Sequence, residues 1–189
     1  GRLGRTIKRA ASAYPPGVPR AEVRATANVV EAAGLHCPTL VNEPVAANAV
    51  LGIKNGVIVD VGGGTTGVAV IENGEVVYTA DEATGGTHFT LVIAGATGLS
   101  FEEAEKLKTT GLEQARLFPM VRPVMEKVGT IIKRHLHGSK PDLITLVGGT
   151  ALFPGMAGVI EEVTGIRTLV PPKPMFITPL GIALADRSG

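Results

Sequence analysis

A single cysteine, Cys37, leaves the chain unable to form an internal disulfide or a thiolate metal cluster, so a reducing compartment is permitted. Excess charge is also missing. The formal net charge of +1 gives no electrostatic reason to expect nucleic acid or an anionic membrane as partner. Basic residues cluster at Arg2, Arg5, Lys8 and Arg9, which read as a solvated flank or strand end, with a binding patch as the alternative. No apolar run approaches the ~20 residues that span a bilayer. Histidines do not make up a metal site: His135 and His137, two apart on a helix, diverge, and His36 and His88 have no ligand partner at useful spacing. The opening Gly1 to Arg5 has no initiator methionine and no apolar signal core, and it reads as a start in the middle of a domain of a longer protein.

What is there fits a globular chain: 189 residues, 44% apolar and 19% charged, enough to bury a core. Ile7 to Tyr14 can form a strand, stopped by Pro15-Pro16-Gly17. A helix follows from Pro19 to a stop at Gly34, then a short strand at Leu40-Val41 and a helix from Glu43-Pro44 closed by Gly52. The middle changes character. Val57 to Val61, Gly67 to Ile71 and Glu75 to Ala80 read as three consecutive antiparallel strands, the last two joined at Asn73-Gly74. Helices are expected over Thr87 to Ala96, over Phe101 to Lys108 behind a Ser100/Glu103 capping box, and along the apolar face of Val124, Val128, Ile131 and Ile132 after Pro123. The end repeats the opening order: strand Leu143 to Val147, helix Gly155 to Thr164, strand Ile166 to Val170, and a closing helix to Ala185 capped by Thr178-Pro179. The pattern is α/β, one complete βββαβαβα unit plus the βαβα back half of a second, a diverged duplication divided at 1–53 and 54–189.

Asp60-Val61-Gly62-Gly63-Gly64-Thr65-Thr66-Gly67 is the strongest local signal. Without Cβ atoms, its successive N–H groups can turn inward as an anion nest. Gly62, Gly64 and Gly67 satisfy the dinucleotide fingerprint, but that fingerprint needs a helix after the glycines and here a strand follows. The absence of Gly-Lys-Ser/Thr excludes a P-loop. A phosphate-gripping hairpin remains, with Asp60 at a strand end to hold a hydrated Mg²⁺ and Thr65 to meet a terminal phosphate; a plain glycine-rich turn is the alternative. Gly148-Gly149-Thr150 is a second glycine turn at a strand end, where a bare backbone can approach a nucleoside. Glu43, extended ahead of Pro44, can orient a water, or simply favour the helix dipole. Glu105 and Lys108 share a helix face and form at least a surface ion pair.

These segments resemble the actin, sugar-kinase and heat-shock-chaperone superfamily. Val59 to Gly67 resembles its second phosphate motif, Asn42 to Ala47 and Thr178 to Ala185 its connecting helices, and Leu146 to Pro154 its adenosine motif. The resemblance makes Glu105 and Lys108 a nucleoside-contacting pair. It also brings Gly85-Gly86, Thr66 and Thr150 to the nucleotide. Ser12 to Gly17, Ala80 to Gly86, Phe101 to Glu105 and Met175 to Leu180 are similar to the EutJ family of ethanolamine-utilisation proteins. That resemblance implies an actin-like (ribonuclease H-like) ATPase fold and a DnaK-like chaperone role toward ethanolamine ammonia-lyase or other ethanolamine-catabolic proteins. It further implies ATP/ADP with Mg²⁺ and a cytoplasmic place, associated with the ethanolamine microcompartment. The first phosphate hairpin of the superfamily is not matched, so weak ATPase activity is expected of a full-length protein and not of residues 1–189 alone. Leu152 stands where many relatives place an arginine near adenine, which implies weaker stacking there. A non-hydrolysing scaffold of the microcompartment is the alternative function, and a small-molecule kinase a third.

Overall fold

The computed structural model describes residues 6–186. Arg2 and Arg5 of the basic cluster lie outside the described residues, whereas Arg9 pairs with Asp186 at 2.8 Å. The chain runs β1 (Ser12–Tyr14), α1 (Arg20–Ala32), β2 (Leu40–Asn42), α2 (Glu43–Leu51), then β3 (Gly56–Val61), β4 (Thr66–Glu72) and β5 (Glu75–Glu82). It continues with α3 (Gly86–Thr97), α4 (Phe101–Thr110), α5 (Gln114–His135), β6 (Ile144–Val147), α6 (Met156–Thr164), β7 (Thr168–Leu169) and α7 (Ile177–Ala185). β1 and β2 pair in parallel, and the other five strands form one sheet in the order β5-β4-β3-β6-β7. β3 is antiparallel to β4 and parallel to β6, so the glycine turns after β3 and β6 leave the same edge.

Strand periodicity assigns the two faces of this sheet. Val57, Val59 and Val61 join Val68, Val70 and Leu146 in the main core, packed with Phe89, Leu117, Met125, Ile132 and Ile160 of α3, α5 and α6. Ile58, Ala69, Ile71 and Val147 face the other way, against Ala47 of α2 and Ile177 of α7. Asp60, two residues beyond Ile58, therefore points toward α2 and α7. These helices cross in direct backbone contact: a Cβ on Gly181 would lie 1.8 Å from the Ala46 carbonyl oxygen.

Several elements differ from the sequence expectation. β1 is confined to Ser12–Tyr14, with one isolated bridge from Arg9 to His36 before it. α5 begins at Gln114, ahead of the expected start after Pro123, and carries Pro119 and Pro123 inside it. Both prolines, and residue 115 whose carbonyl Pro119 leaves unpaired, are exposed, so the freed groups lie on the solvent side while Leu117, Val121, Val124 and Val128 keep the buried face continuous. The Ser100/Glu103 capping box forms as expected, with Ser100 N–H donating to Glu103 Oε2 at 2.9 Å and Glu103 N–H donating to Ser100 Oγ at 3.3 Å. Thr178 does not cap α7: Phe176 holds that position and no side chain bonds the first turn. Among the described residues no helix is long and apolar enough to cross a membrane.

Candidate functional site

The turn after β3 is held by its carbonyls, which leaves its amides available. Gly62 O accepts from Gly86 N–H at 2.9 Å and from Thr150 Oγ1 at 2.8 Å, and Gly63 O accepts from Thr87 N–H at 2.7 Å. Gly62 N–H is spent on Thr65 O at 3.0 Å. The N–H groups of Gly63, Gly64 and Thr65 have no acceptor among the described residues, and all three residues are exposed. Three adjacent, exposed N–H groups without an acceptor are available to an anion.

The packing behind that turn explains its neighbours. A Cβ on Gly85 would stand 2.8 Å from both the Gly62 and Gly63 oxygens, and one on Gly86 would stand 2.5 Å from Thr150 Oγ1. Gly148, at φ +89°, sits so close under β3 that a Cβ would meet Asp60 Oδ1 at 2.4 Å. Both glycine turns, Asp60 and the start of α3 thus close on one another. Thr66 departs from the expected nucleotide contact. It is fully buried, and its hydroxyl donates to the Thr84 carbonyl oxygen at 2.6 Å, bracing the segment before α3.

Beside this turn lies a cavity of about 490 Å³, lined by Gly63, Gly86, Glu105, Lys108, Gly149 and Thr150 together with Gln114, Leu152, Phe153 and Met175. Its two glycine turns offer bare backbone, and Leu152, Phe153 and Met175 offer apolar surface. Glu105 and Lys108 are more than the surface pair the sequence suggested. The Lys108 side chain is only 12% exposed, and its Nζ donates to Glu105 Oε2 at 2.7 Å, Thr90 Oγ1 at 2.9 Å and Gly86 O at 2.9 Å. The pair therefore clamps the start of α3 from α4. The Glu105 carboxyl stays below the usual range: burial pushes it up, but bonds from Lys108 and Thr90 and the Lys108 charge outweigh that.

On the side of α2 and α7, Glu43 and Asp60 line a small recess with Pro16 and Gly67. Burial pushes both carboxyls above their ordinary values. The charges of Asp60 and Asp81 push Glu43 the same way, and Asp81 does so for Asp60, against a hydrogen bond from Thr178 Oγ1 to Asp60 Oδ2 at 2.9 Å. Asp60, Gly67 and Asp81 stand in one row across β3, β4 and β5. Gly67 has no side chain, so nothing separates the two aspartates. Among the described residues no three His, Cys, Asp or Glu side chains could ligate a metal directly. Asp60 and Glu43 could therefore meet a Mg²⁺ ion only through its waters.

Sequence reasoning missed Asp81, Thr90 and the bond from Thr178. The Asn73-Gly74 turn announces the hairpin but not the shifted register that sets Asp81 opposite Gly67. His135 is away from the cleft, its ring bonded to Tyr78 Oη at 2.7 Å and Glu82 Oε1 at 2.8 Å.

A family model described as type IV pilus assembly protein PilM matches residues 23–177. Ethanolamine utilization protein EutJ of Escherichia coli K12 is 39% identical over 98% of this chain and 65% of its own length. The chain thus spans about two thirds of that curated relative. A crystal structure of EutJ from Carboxydothermus hydrogenoformans, 44% identical, superposes with a TM-score of 0.90 over 96% of this chain and 67% of that one. MreB5 of Spiroplasma citri bound to AMPPNP superposes with a TM-score of 0.79 at 20% identity, over 94% of this chain and 68% of its own, a likeness of fold alone.

Proposed function

This chain belongs to the EutJ family of actin-like ATPase-fold proteins, shares the matched PilM family model, and on that premise we propose that its cleft binds ATP and ADP with Mg²⁺. One observation carries the reading. Thr150 locks the two glycine turns together, and at the turn that follows Asp60 the exposed Gly63, Gly64 and Thr65 keep amides without an acceptor among the described residues. The AMPPNP held by the MreB5 relative supports a nucleotide as the ligand class.

In this reading the three amides and the Thr65 hydroxyl take phosphate oxygens. Mg²⁺ would neutralise phosphate charge, held through water by Asp60. Glu43 orients a water on the same side, and the nucleoside lies against Gly149, Thr150 and the Glu105–Lys108 clamp. For the whole protein we propose a chaperone-like role in ethanolamine catabolism, assisting assembly, protection or reactivation of its enzymes, in the cytoplasm and associated with the microcompartment. The DnaK-type motifs at Asn42 to Ala47 and Val59 to Gly67 support it. Calorimetry of ATP binding to the full-length protein, with and without Mg²⁺, tests the site. Asp60→Ala is expected to weaken Mg-ATP more than metal-free ATP, and equal losses would refute the assignment of Asp60.

A further inference from the structure

We propose that Thr178 is a positioning residue for Asp60, which rests on the reading above that Asp60 faces the nucleotide's cation. A threonine at the N-cap of a helix ordinarily satisfies the exposed amides of the first turn. Thr178 is the second residue of α7 and does not do this. Its hydroxyl donates to Asp60 Oδ2 at 2.9 Å, between residues 118 apart in sequence. A hydroxyl has one proton to give, so this donation is its whole donor capacity.

The other carboxylate oxygen is confined too. Oδ1 lies over Gly148, where a Cβ would be 2.4 Å away, and the Gly148 N–H donates to Pro174 O at 3.1 Å in the segment leading into α7. Rotation of the carboxylate is therefore limited on one side by the second glycine turn and on the other by Thr178. The hydrogen bond also favours the charged carboxylate that a cation requires, against the burial that disfavours it. The place of Thr178 is itself fixed, because α7 rests on α2 through the Gly181–Ala46 contact. Glu43 begins that same α2. One helix crossing thus sets Thr178 and Glu43 together around Asp60, and the hydroxyl is the only part of it that bonds the Asp60 side chain among the described residues.

The full-length protein with Thr178→Val, Thr178→Ser or no substitution is titrated with ADP, with and without Mg²⁺. Valine keeps the shape and removes the proton; serine keeps the proton. Thr178→Val is expected to lose roughly tenfold of the affinity gain that Mg²⁺ brings, the size of one hydrogen bond to a charged group. Its metal-free affinity, which also reports on folding, is expected to stay at the wild-type level, and Thr178→Ser to recover most of the gain. A wild-type Mg²⁺ gain in Thr178→Val, or equal losses with and without metal, overturns the role of Thr178 while leaving the cleft assignment standing. Absence of any Mg²⁺ gain in the unsubstituted protein overturns the cleft assignment and the role of Thr178 with it.

Discussion

The Thr150 hydroxyl donates to the Gly62 carbonyl oxygen at 2.8 Å, bridging two glycine turns 88 residues apart. Gly62 O keeps its second bond, from Gly86 N–H, if this one is lost. Thr150→Val should therefore fold, with a stability loss of about 1 kcal/mol, the net worth of one ordinary hydrogen bond. Nucleotide affinity is expected to fall severalfold because the turns are no longer locked. A urea titration and an ADP titration measure the two effects, and unchanged affinity would show that the lock does not serve the cleft.

Gly85→Ala is a steric test of the same region. Gly85 has φ −158°, an extended conformation open to any residue, so backbone strain plays no part. The added methyl must instead push away two backbone oxygens, Gly62 O and Gly63 O, each 2.8 Å from its position. Overpacking against groups that cannot rotate away costs about 1–3 kcal/mol. The thermal midpoint is expected to drop by roughly 2–4 °C per kcal/mol, with nucleotide binding lost more than stability.

Removing Lys108 tests the clamp at the start of α3. In Lys108→Met, Gly86 O loses a charged donor, and Glu105 and Thr90 lose theirs. A destabilisation of about 1–3 kcal/mol is expected, larger than for an exposed ion pair. Denaturant unfolding of Lys108→Met beside Arg116→Met, whose pairing with Glu113 is exposed, separates the two cases.

The Glu105 carboxyl gives this clamp a pH dependence. Its folded value lies below 4.5, so the clamp's electrostatic contribution is fully present above that ordinary value and is lost as pH falls through the lowered one. Thermal midpoints of the native protein and of Glu105→Gln are expected to differ at pH 7 and to converge in acid. A constant difference across that range would contradict the assignment.

Asp60 has the opposite sign. Burial and the neighbouring Asp81 hold its carboxyl above 3.8, so its charge destabilises the ligand-free fold at neutral pH, and the penalty fades as pH falls toward 3.8. Asp60→Asn keeps an acceptor for Thr178 and removes the charge. It is expected to raise the melting temperature of the ligand-free protein at pH 7 while reducing stabilisation by Mg-ADP. Differential scanning with and without Mg-ADP reads both.

Local pattern was enough for much of this molecule. The run Val57 to Val61 that carries Asp60 and leads into three glycines, the Asn73-Gly74 turn, the Ser100/Glu103 cap and the glycine stops at Gly52 and Gly165 are all decided within a few residues of themselves. Propensity and periodicity act at that range, so the order of elements and both glycine turns could be read from the chain. Position across the sheet could not. The pairing of β4 with β5 shifts at Val70/Ile71, so Gly67 faces Asp81; an unbroken hairpin register from Asn73-Gly74 would put Ala80 there and send Asp81 to the opposite face. The same holds for Thr178, whose neighbours in sequence suggest a helix cap but which bonds Asp60 because α7 is seated on α2 at Gly181. Register and helix crossing depend on how whole elements pack, a balance of contacts between residues far apart in the chain, and only the folded structure decides it.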